Sequence, residues 1–317
     1  MKDIIFDNKD KMAMLGLGTW KSDRGLVYNA VRRAIEVGYR HIDCAAVYGN
    51  EAEIGEAFAD AFSAGDVKRE ELWVTSKLWN TAHKKNAVVP ALQKTLSDLR
   101  LDYVDLYLMH WPIAMKEGAG FPSKASDFYT LEEVPLEETW EAMLDTKERN
   151  LIRHIGVSNF NSSNLEVLGR LAFPEMNQVE MHPFLPQQKL VDYCKAKGIN
   201  MTAYSPLGSM DRPARIKADN EPLLLEQPVI EKIAEAHDAT PAQVLISWSM
   251  HRGIAVIPKS TNEKRIGENL EAAKLQLSDQ ELEHINGIQS GHRFIDGSIW
   301  VNNGSPYSYE DLWEGQS

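Results

Sequence analysis

The stretch Gly38–Gly55, GYRHIDCAAVYGNEAEIG, contains a strand pattern and a helix pattern with a turn between them. Its first part, RHIDCA, is a short apolar run that ends near the carboxylate of Asp43. Tyr48 follows in a Gly- and Asn-containing turn, and the second part begins an amphipathic helix predicted over residues 51–64. The stretch is therefore a strand followed by a helix, with a carboxylate where the strand ends.

Seven further units of this kind surround the stretch. Each begins with a short apolar or β-branched run and continues into an amphipathic segment. The runs are MLGLGTW (14–20), LWVTSKL (72–78), YVDLYLMH (103–110), RHIGVSN (153–159), MNQVEM (176–181), INMTAYSP (199–206) and IAVIPKS (254–260). Because parallel strands need crossovers, eight successive units favour a closed (β/α)8 TIM barrel of the α/β class over an open doubly wound sheet.

No break in composition divides the chain, so we predict a single barrel domain over residues 1–317. We expect the first dozen residues to form a β-hairpin that caps one end of the barrel. The tail, residues 291–317, is rich in Gly, Asn, Ser and aromatic residues, and we predict an irregular C-terminal loop.

Composition limits the possible partners and the cellular location. The net charge of −12 argues against non-specific binding to nucleic acid or anionic membranes. No apolar run approaches the length of a membrane span, and the N-terminus lacks a secretory signal. Cys44 and Cys194 cannot form a disulfide framework, which favours the cytoplasm. His110 and His182 have no ligand partner at helical spacing, so we expect no metal site.

Polar and aromatic residues recur where the predicted strands end, which is where barrel enzymes place their reactive groups. Tyr48 lies in the loop that follows one of these positions. The residues at the strand ends are Trp20, Asp43, Lys77, His110, Ser158, Asn159, Glu180, Tyr204, Ser205 and Lys259.

Four of these side chains form a plausible acid–base set. The phenol of Tyr48 alone would keep its proton, because its pKa lies near about 10. The ammonium of Lys77 would lower that pKa, and the carboxylate of Asp43 would keep the lysine charged and in place. His110, as a neutral imidazole, would orient a carbonyl oxygen. The set would deliver a proton to an aldehyde or ketone, although each residue alone is more often structural.

The sequence resembles the aldo-keto reductases, barrel enzymes that reduce carbonyls with a nicotinamide cofactor. The resemblance extends from LGLGTW to about RFIDGS, and its motifs occur in the family's order. They are GYRHIDCAAVYGNEAEIG, TSKLW, DLYLMHWP, IGVSNF, NQVEMHPF, AYSPLGS and AVIPKSTNEKRIGENL. The resemblance implies that Tyr48 is the proton donor, that Asp43 and Lys77 tune it, and that His110 orients the substrate.

The resemblance also implies the binding residues. Tyr204 would stack on the nicotinamide, while Ser158, Asn159 and Gln178 would hold its carboxamide. The other cofactor residues implied are Thr19, Trp20, Asp43, Ser205, Leu207, Ser209, Lys259, Ser260, Thr261, Asn262, Arg265, Glu268 and Asn269. The substrate would contact Trp20, Tyr48, Trp79, His110 and Trp111. Phe121 and Trp300 lie in segments that depart from the family's pattern, and they are further candidates for substrate contact.

The segment IPKSTNEKR has a chemistry of its own that suits a phosphate. It places Lys259, Arg265 and the hydroxyls of Ser260 and Thr261 around one predicted helix start. A phosphate prefers cations, hydroxyl donors and a helix N-terminus. We therefore expect NADPH, with NADH as a possible secondary cofactor.

These features predict an NADPH-dependent reductase of small aldehydes and aldoses that also oxidises polyols or alcohols in reverse. An alternative is a sensor or regulatory barrel that binds the cofactor but retains only vestigial catalysis. The intact Asp43, Tyr48, Lys77 and His110 set argues against that alternative. Members of the family are often monomers, so we expect a monomer or a weak dimer.

Overall fold

A computed structural model describes residues 2–212, 217, 221–302 and 304–313. Its main sheet has eight parallel strands, and each strand pairs with its neighbours in chain order. The strands are β3 (Leu17–Gly18), β4 (His41–Asp43), β5 (Trp73–Leu78), β6 (Val104–Met109), β7 (Ile152–Ser158), β8 (Met176–Glu180), β9 (Asn200–Tyr204) and β10 (Ala255–Val256).

The first and last strands of this sheet meet and close the barrel. Leu15 and Gly18 form parallel bridges to Val256 and Lys259, and the Gly18 amide donates to the Pro258 carbonyl over 3.1 Å. A Cβ atom on Gly18 would lie 2.7 Å from the Ile257 carbonyl oxygen, so glycine lets the two strands approach. The predicted (β/α)8 barrel is confirmed.

A hairpin caps the end of the barrel where the strands begin. Its strands β1 (Asp3–Ile5) and β2 (Lys11–Ala13) pair antiparallel. Phe6 stacks on Trp73 with 5.1 Å between ring centroids and contacts the ring of His154, and both partners lie near the start of their strands. Since Met12 is fully buried, the hairpin is part of the core rather than a surface addition.

Helices alternate with the strands and cover the outside of the barrel. They are α1 (Val27–Val37), α2 (Glu51–Ala64), α3 (Lys85–Leu99), α4 (Leu136–Glu148), α5 (Ser162–Gly169), α6 (Gln188–Ala196), α7 (Pro228–Ala236), α8 (Pro241–His251), α9 (Glu263–Glu271) and α10 (Asp279–Asn286). Each of these helices has buried residues, and α7 packs on α8 and α10. Within these described residues, none of the helices is long and apolar enough to cross a bilayer.

In the described part of the segment between β9 and β10, α7 and α8 are separate helices. Thr240 caps α8 by accepting a hydrogen bond from the Gln243 amide, and Pro241 occupies the first helical position. Proline at that position and a capping threonine both start a new helix, so the chain breaks after α7.

The tail is largely irregular, as expected, and its described residues include only the short helices α11 (Ser298–Val301) and α12 (Tyr309–Leu312). It packs on the loop that follows β6 and forms a second hydrophobic cluster outside the main core. The hydroxyl of Tyr307 joins the two segments, because it accepts from the Ala114 amide over 2.9 Å and donates to the Tyr129 carbonyl over 2.8 Å. The cluster contains Trp111, Ile113, Met115, Phe128, Trp300, Tyr307, Leu312 and Trp313.

Candidate active site

The centre of the site is a buried ion pair at the carboxyl ends of β4 and β5. The Lys77 Nζ donates to Asp43 Oδ1 over 2.5 Å and to the Cys44 carbonyl over 2.8 Å. Gln178 Nε2 donates to the other carboxylate oxygen of Asp43 over 2.7 Å. Lys77 is fully buried, and its nitrogen lies 5.2 Å from the ring centre of Tyr48. The pair therefore holds a fixed positive charge beside the phenol.

The pKa of Tyr48 differs from the sequence-based expectation. Burial dominates and raises the pKa of Tyr48 to about 12, while the charge of Lys77 and its hydrogen bond to the phenol oppose that rise. Burial favours the neutral phenol more than one ammonium favours the phenolate. Burial lowers the pKa of Lys77, but the charge and hydrogen bond of Asp43 together with the neighbouring Tyr48 raise it above its usual value. Tyr48 is thus a protonated donor beside a charged lysine at neutral pH.

His110 faces Tyr48 across the same cavity. Their ring centroids lie 5.9 Å apart and the rings are nearly perpendicular. Burial, followed by the charge of Lys77, holds the pKa of His110 well below its usual value, so the imidazole is neutral. The Asn159 side chain fixes the backbone behind it by donating to the His110 carbonyl over 3.0 Å.

A row of amide and hydroxyl side chains lies beside the ion pair, at the ends of β7, β8 and β9. We call this row the polar ledge. Ser158 Oγ donates to the Gln178 carbonyl over 2.8 Å, and the Tyr204 hydroxyl donates to Asn159 Oδ1 over 2.6 Å. Asn159 has a φ of 66°, which turns its side chain back toward the site. The ring of Tyr204 is half-buried, so a flat aromatic surface lies next to the polar ledge.

The loop after β9, residues 205–212, extends from this ledge and is held by charges. Lys21 Nζ donates to Ser209 Oγ over 3.0 Å and also pairs with Asp211. Lys259 lies 3.2 Å from the other carboxylate oxygen of Asp211. Ser205 and Leu207 are half-buried, whereas Ser209 is buried. The loop is therefore held across the barrel mouth by two lysines from other strand ends. Because the resemblance assigns residues of this loop to the cofactor, we call it the cofactor loop below.

The start of α9 carries the basic segment. Asn262 Oδ1 accepts from the Arg265 amide over 3.0 Å, and Ser260 Oγ accepts from the Asn262 amide over 3.1 Å. The Arg265 side chain is exposed, and Thr261 is half-buried. Further along the helix, Asn269 is buried, and Glu268 pairs with Lys264 over 3.3 Å. Thr19 is also buried, and its hydroxyl donates to the Asp43 carbonyl.

Three tryptophans form a wall above His110, which we call the aromatic wall. Trp79 lies edge-on to His110 at 5.3 Å and contacts Trp300 at 5.7 Å, and Trp300 contacts Trp111 at 5.4 Å. Phe121 lies 6.3 Å from Trp79 but is 58% exposed, which places it at the rim. On the opposite side the ring of Trp20 lies 6.4 Å from that of Tyr48.

Sequence reasoning missed several residues that shape this site. Lys21 and Asp211 were not singled out, although opposite charges on loops after two different strands were a usable signal. Glu180 was recognised only as a strand-end residue, and Phe294 was not considered at all. Their contacts are with residues far away in the chain, which a pattern of local spacing cannot show.

The comparisons with known proteins agree with this geometry. Residues 12–290 match the model of the Aldo/keto reductase family. The chain belongs to the aldo/keto reductase family. It is 48% identical to "Aldo/keto reductase slr0942" of Synechocystis sp., across 99% of this chain and 97% of that protein. It is 45% identical to human "Aldo-keto reductase family 1 member A1", across 92% and 90%.

A solved structure shares the fold of this aldo/keto reductase. The aldose reductase from Schistosoma japonicum superposes with a TM-score of 0.86 at 39% identity, and the match covers 94% of this chain and 96% of that one. The family supports an oxidoreductase that reduces carbonyls, and its members generally use NAD(P)H. The residues present suit such a cofactor. The ring of Tyr204, the amides of Asn159 and Gln178 and the basic start of α9 follow one another along neighbouring strand ends.

A buried carboxyl near the ion pair gives a test of these electrostatics. Glu51 accepts from Ser76 Oγ over 2.5 Å and from Thr95 Oγ1 over 3.0 Å, yet burial raises its pKa to about 7. The folded state thus binds this proton more tightly than the unfolded chain, so ionisation of Glu51 destabilises the fold as pH rises through that range.

We expect Glu51→Gln to increase the free energy of unfolding at about pH 8 by up to about 3 kcal/mol. The gain should disappear near about pH 3, where the wild-type carboxyl is protonated in both the folded and the unfolded state. Urea unfolding at both pH values measures it, with the exposed Glu56→Gln as the control. A gain of equal size at both pH values would contradict the raised pKa.

Proposed function

We propose that this aldo/keto reductase is an NADPH-dependent carbonyl reductase in which Tyr48 donates the proton. One observation carries the proposal: the fully buried Lys77 is bonded to Asp43 and lies beside the Tyr48 ring. A buried ion pair costs free energy through desolvation, so its position against a phenol at a barrel mouth favours a chemical role.

The residues would act on the carbonyl oxygen together. The neutral imidazole of His110 donates a hydrogen bond that orients this oxygen, and Tyr48 transfers its proton as negative charge develops there. Lys77 stabilises the resulting phenolate, and Asp43 keeps Lys77 charged. When bound, the nicotinamide supplies the hydride. The aromatic wall excludes water from the reacting centre and contacts the apolar part of the substrate.

The cofactor would lie along the strand ends. Ser158, Asn159 and Gln178 would hold the carboxamide, and Tyr204 would stack on the ring. The cofactor loop would cover the pyrophosphate, and Lys259, Ser260, Thr261 and Arg265 would bind the 2′-phosphate. The path from Tyr204 to α9 runs along neighbouring strands β9 and β10, which supports this assignment.

Steady-state kinetics with aldoses, simple aldehydes and ketones, each with NADPH and NADH, tests the proposal. We expect rapid aldehyde-dependent oxidation of NADPH and slower use of NADH, with the reverse reaction on alcohols and polyols. The alternative is a cofactor-binding sensor with vestigial catalysis. It predicts tight NADPH binding without turnover on any carbonyl, a result that would overturn the proposal.

We also propose a cytoplasmic enzyme that is a monomer or a weak dimer. Cys44 and Cys194 are both buried and unpaired, which suits a reducing compartment. Light scattering during size-exclusion chromatography measures the assembly state.

A further inference from the structure

Glu180 is a fully buried carboxylate at the end of β8 that the proposed reaction does not use. Its Oε1 accepts from the Phe294 amide over 2.6 Å and from His182 Nε2 over 2.8 Å. Its Oε2 accepts from the Ile295 amide over 2.7 Å. Two successive backbone amides of the tail therefore depend on one side chain of the barrel.

The negative charge of Glu180 allows it to accept hydrogen bonds from both tail amides. Burial opposes ionisation, yet the hydrogen bond from His182 and the charges of His182 and Arg293 lower the pKa of Glu180 below its usual value. An ionised carboxylate offers acceptors on both oxygens, so it can bind both tail amides at once. A neutral amide side chain of the same shape would place an NH₂ group against one of them.

Phe294 is a tail residue that contacts the cofactor loop, and its amide is bound by Glu180. Its ring has the Arg212 guanidinium 5.1 Å above it, and the ring of His182 lies 5.0 Å away. A Cβ atom on Gly208 would lie 3.3 Å from the Phe294 ring, so the loop backbone packs directly on it. Arg212 Nη1 donates to the Ser209 carbonyl over 2.9 Å, which joins this contact to the rest of the loop.

The tail continues from this junction to the aromatic wall. Gly297 has a φ of 78°, and a Cβ atom there would lie 2.8 Å from Leu312, so the turn before α11 is tightly specified. The Trp313 Nε1 donates to the Asp296 carbonyl over 2.7 Å, and Trp300 follows on α11 with only 2% of its surface exposed. Phe294 and Trp300 are thus joined by a short backbone segment that these contacts hold in place.

We propose that Glu180 is a positioning residue: with Phe294 it joins the cofactor loop to the tail, so that closure of the loop sets the position of Trp300 in the substrate site. This rests on the proposed function, because it assumes that the cofactor loop covers NADPH. Binding of NADPH would then order the aromatic wall before the aldehyde binds.

The first test compares Glu180→Gln with the wild type. In Glu180→Gln we expect the KM for benzaldehyde, whose ring would pack on the aromatic wall, to rise about tenfold. We expect kcat to change less than about twofold. The KM for propanal, which has less apolar surface to place against the aromatic wall, should stay within about twofold. Equal increases for both aldehydes, or none for benzaldehyde, would overturn the positioning role.

Glu175→Gln is the matched control, because Glu175 precedes the opposite end of β8 and also accepts from a histidine, His154. It should alter stability without changing the ratio of the two KM values. If Glu175→Gln changes that ratio as much as Glu180→Gln does, the effect is general loosening, and the proposal is wrong.

The second test measures hydrogen exchange of peptides from residues 298–313, with and without NADPH. We expect NADPH to slow exchange there in the wild type, and this protection to be lost in Phe294→Leu although the Kd for NADPH stays within about threefold. If Phe294→Leu kept this protection, the proposed link between the cofactor loop and the tail would be wrong. Failure of the wild type to bind NADPH at all would instead contradict the proposed function, and fluorescence titration detects that separately.

Discussion

Tyr48→Phe should lower kcat for aldehyde reduction by about 10³-fold or more, because removing a general acid costs about 10² to 10⁴ in rate and no other donor occupies its place. The buried ion pair of Lys77 and Asp43 does not depend on the phenol oxygen, so the fold should persist. The Kd for NADPH should stay within about threefold. Single-turnover kinetics at saturating NADPH, together with fluorescence titration, measure both quantities.

Tyr39→Phe is a suitable control. Its hydroxyl is buried and donates to the Ile266 carbonyl, far from the ion pair, so its loss should affect stability rather than turnover. Turnover by Tyr48→Phe near the wild-type rate would show that another group supplies the proton. In that case Tyr48 would be a packing residue, and the role of Lys77 would need a different explanation.

Arg265→Ala should weaken NADPH binding by about 10- to 100-fold, since a hydrogen bond to a charged group contributes about 1.5–3 kcal/mol. NADH lacks the 2′-phosphate, so its Kd should change less than about twofold. Arg265 is exposed at the first turn of α9, where its guanidinium can reach such a phosphate. Titration of each cofactor, monitored by tryptophan fluorescence, measures the two constants.

The neighbouring cation Lys264 provides the comparison for this experiment. It lies on the same helix but pairs with Glu268 over 3.3 Å, so Lys264→Ala should change both Kd values by about twofold or less. Equal losses for NADPH and NADH in Arg265→Ala would remove the 2′-phosphate assignment. The basic segment would then act on the cofactor as a whole.

Local patterns were enough to predict the barrel and the polar residues at its strand ends. The helix over residues 51–64 has the predicted bounds, and Asp43 and Lys77 meet because strand ends in a parallel barrel lie at one level. The strand register aligns Gly18 with Asp43 and Ser158 with Gln178, so the polar ends of successive strands lie side by side.

Features that depend on distant contacts were not predictable from spacing. The tail was expected to be irregular, yet it packs through Tyr307 on the loop after β6. The pKa of Tyr48 was expected to fall because of Lys77, but the degree of burial that reverses the shift is a property of the folded cavity. Glu180 and Phe294 are joined by a hydrogen bond across 114 positions of sequence.

The hairpin at the base of the barrel has a consequence for traffic into the enzyme. Phe6 and Met12 cover the end of the barrel where the strands begin, so the described site has its opening at the opposite end. An enzyme attached to a solid support through the hairpin would keep the opening of its site facing the bulk solution.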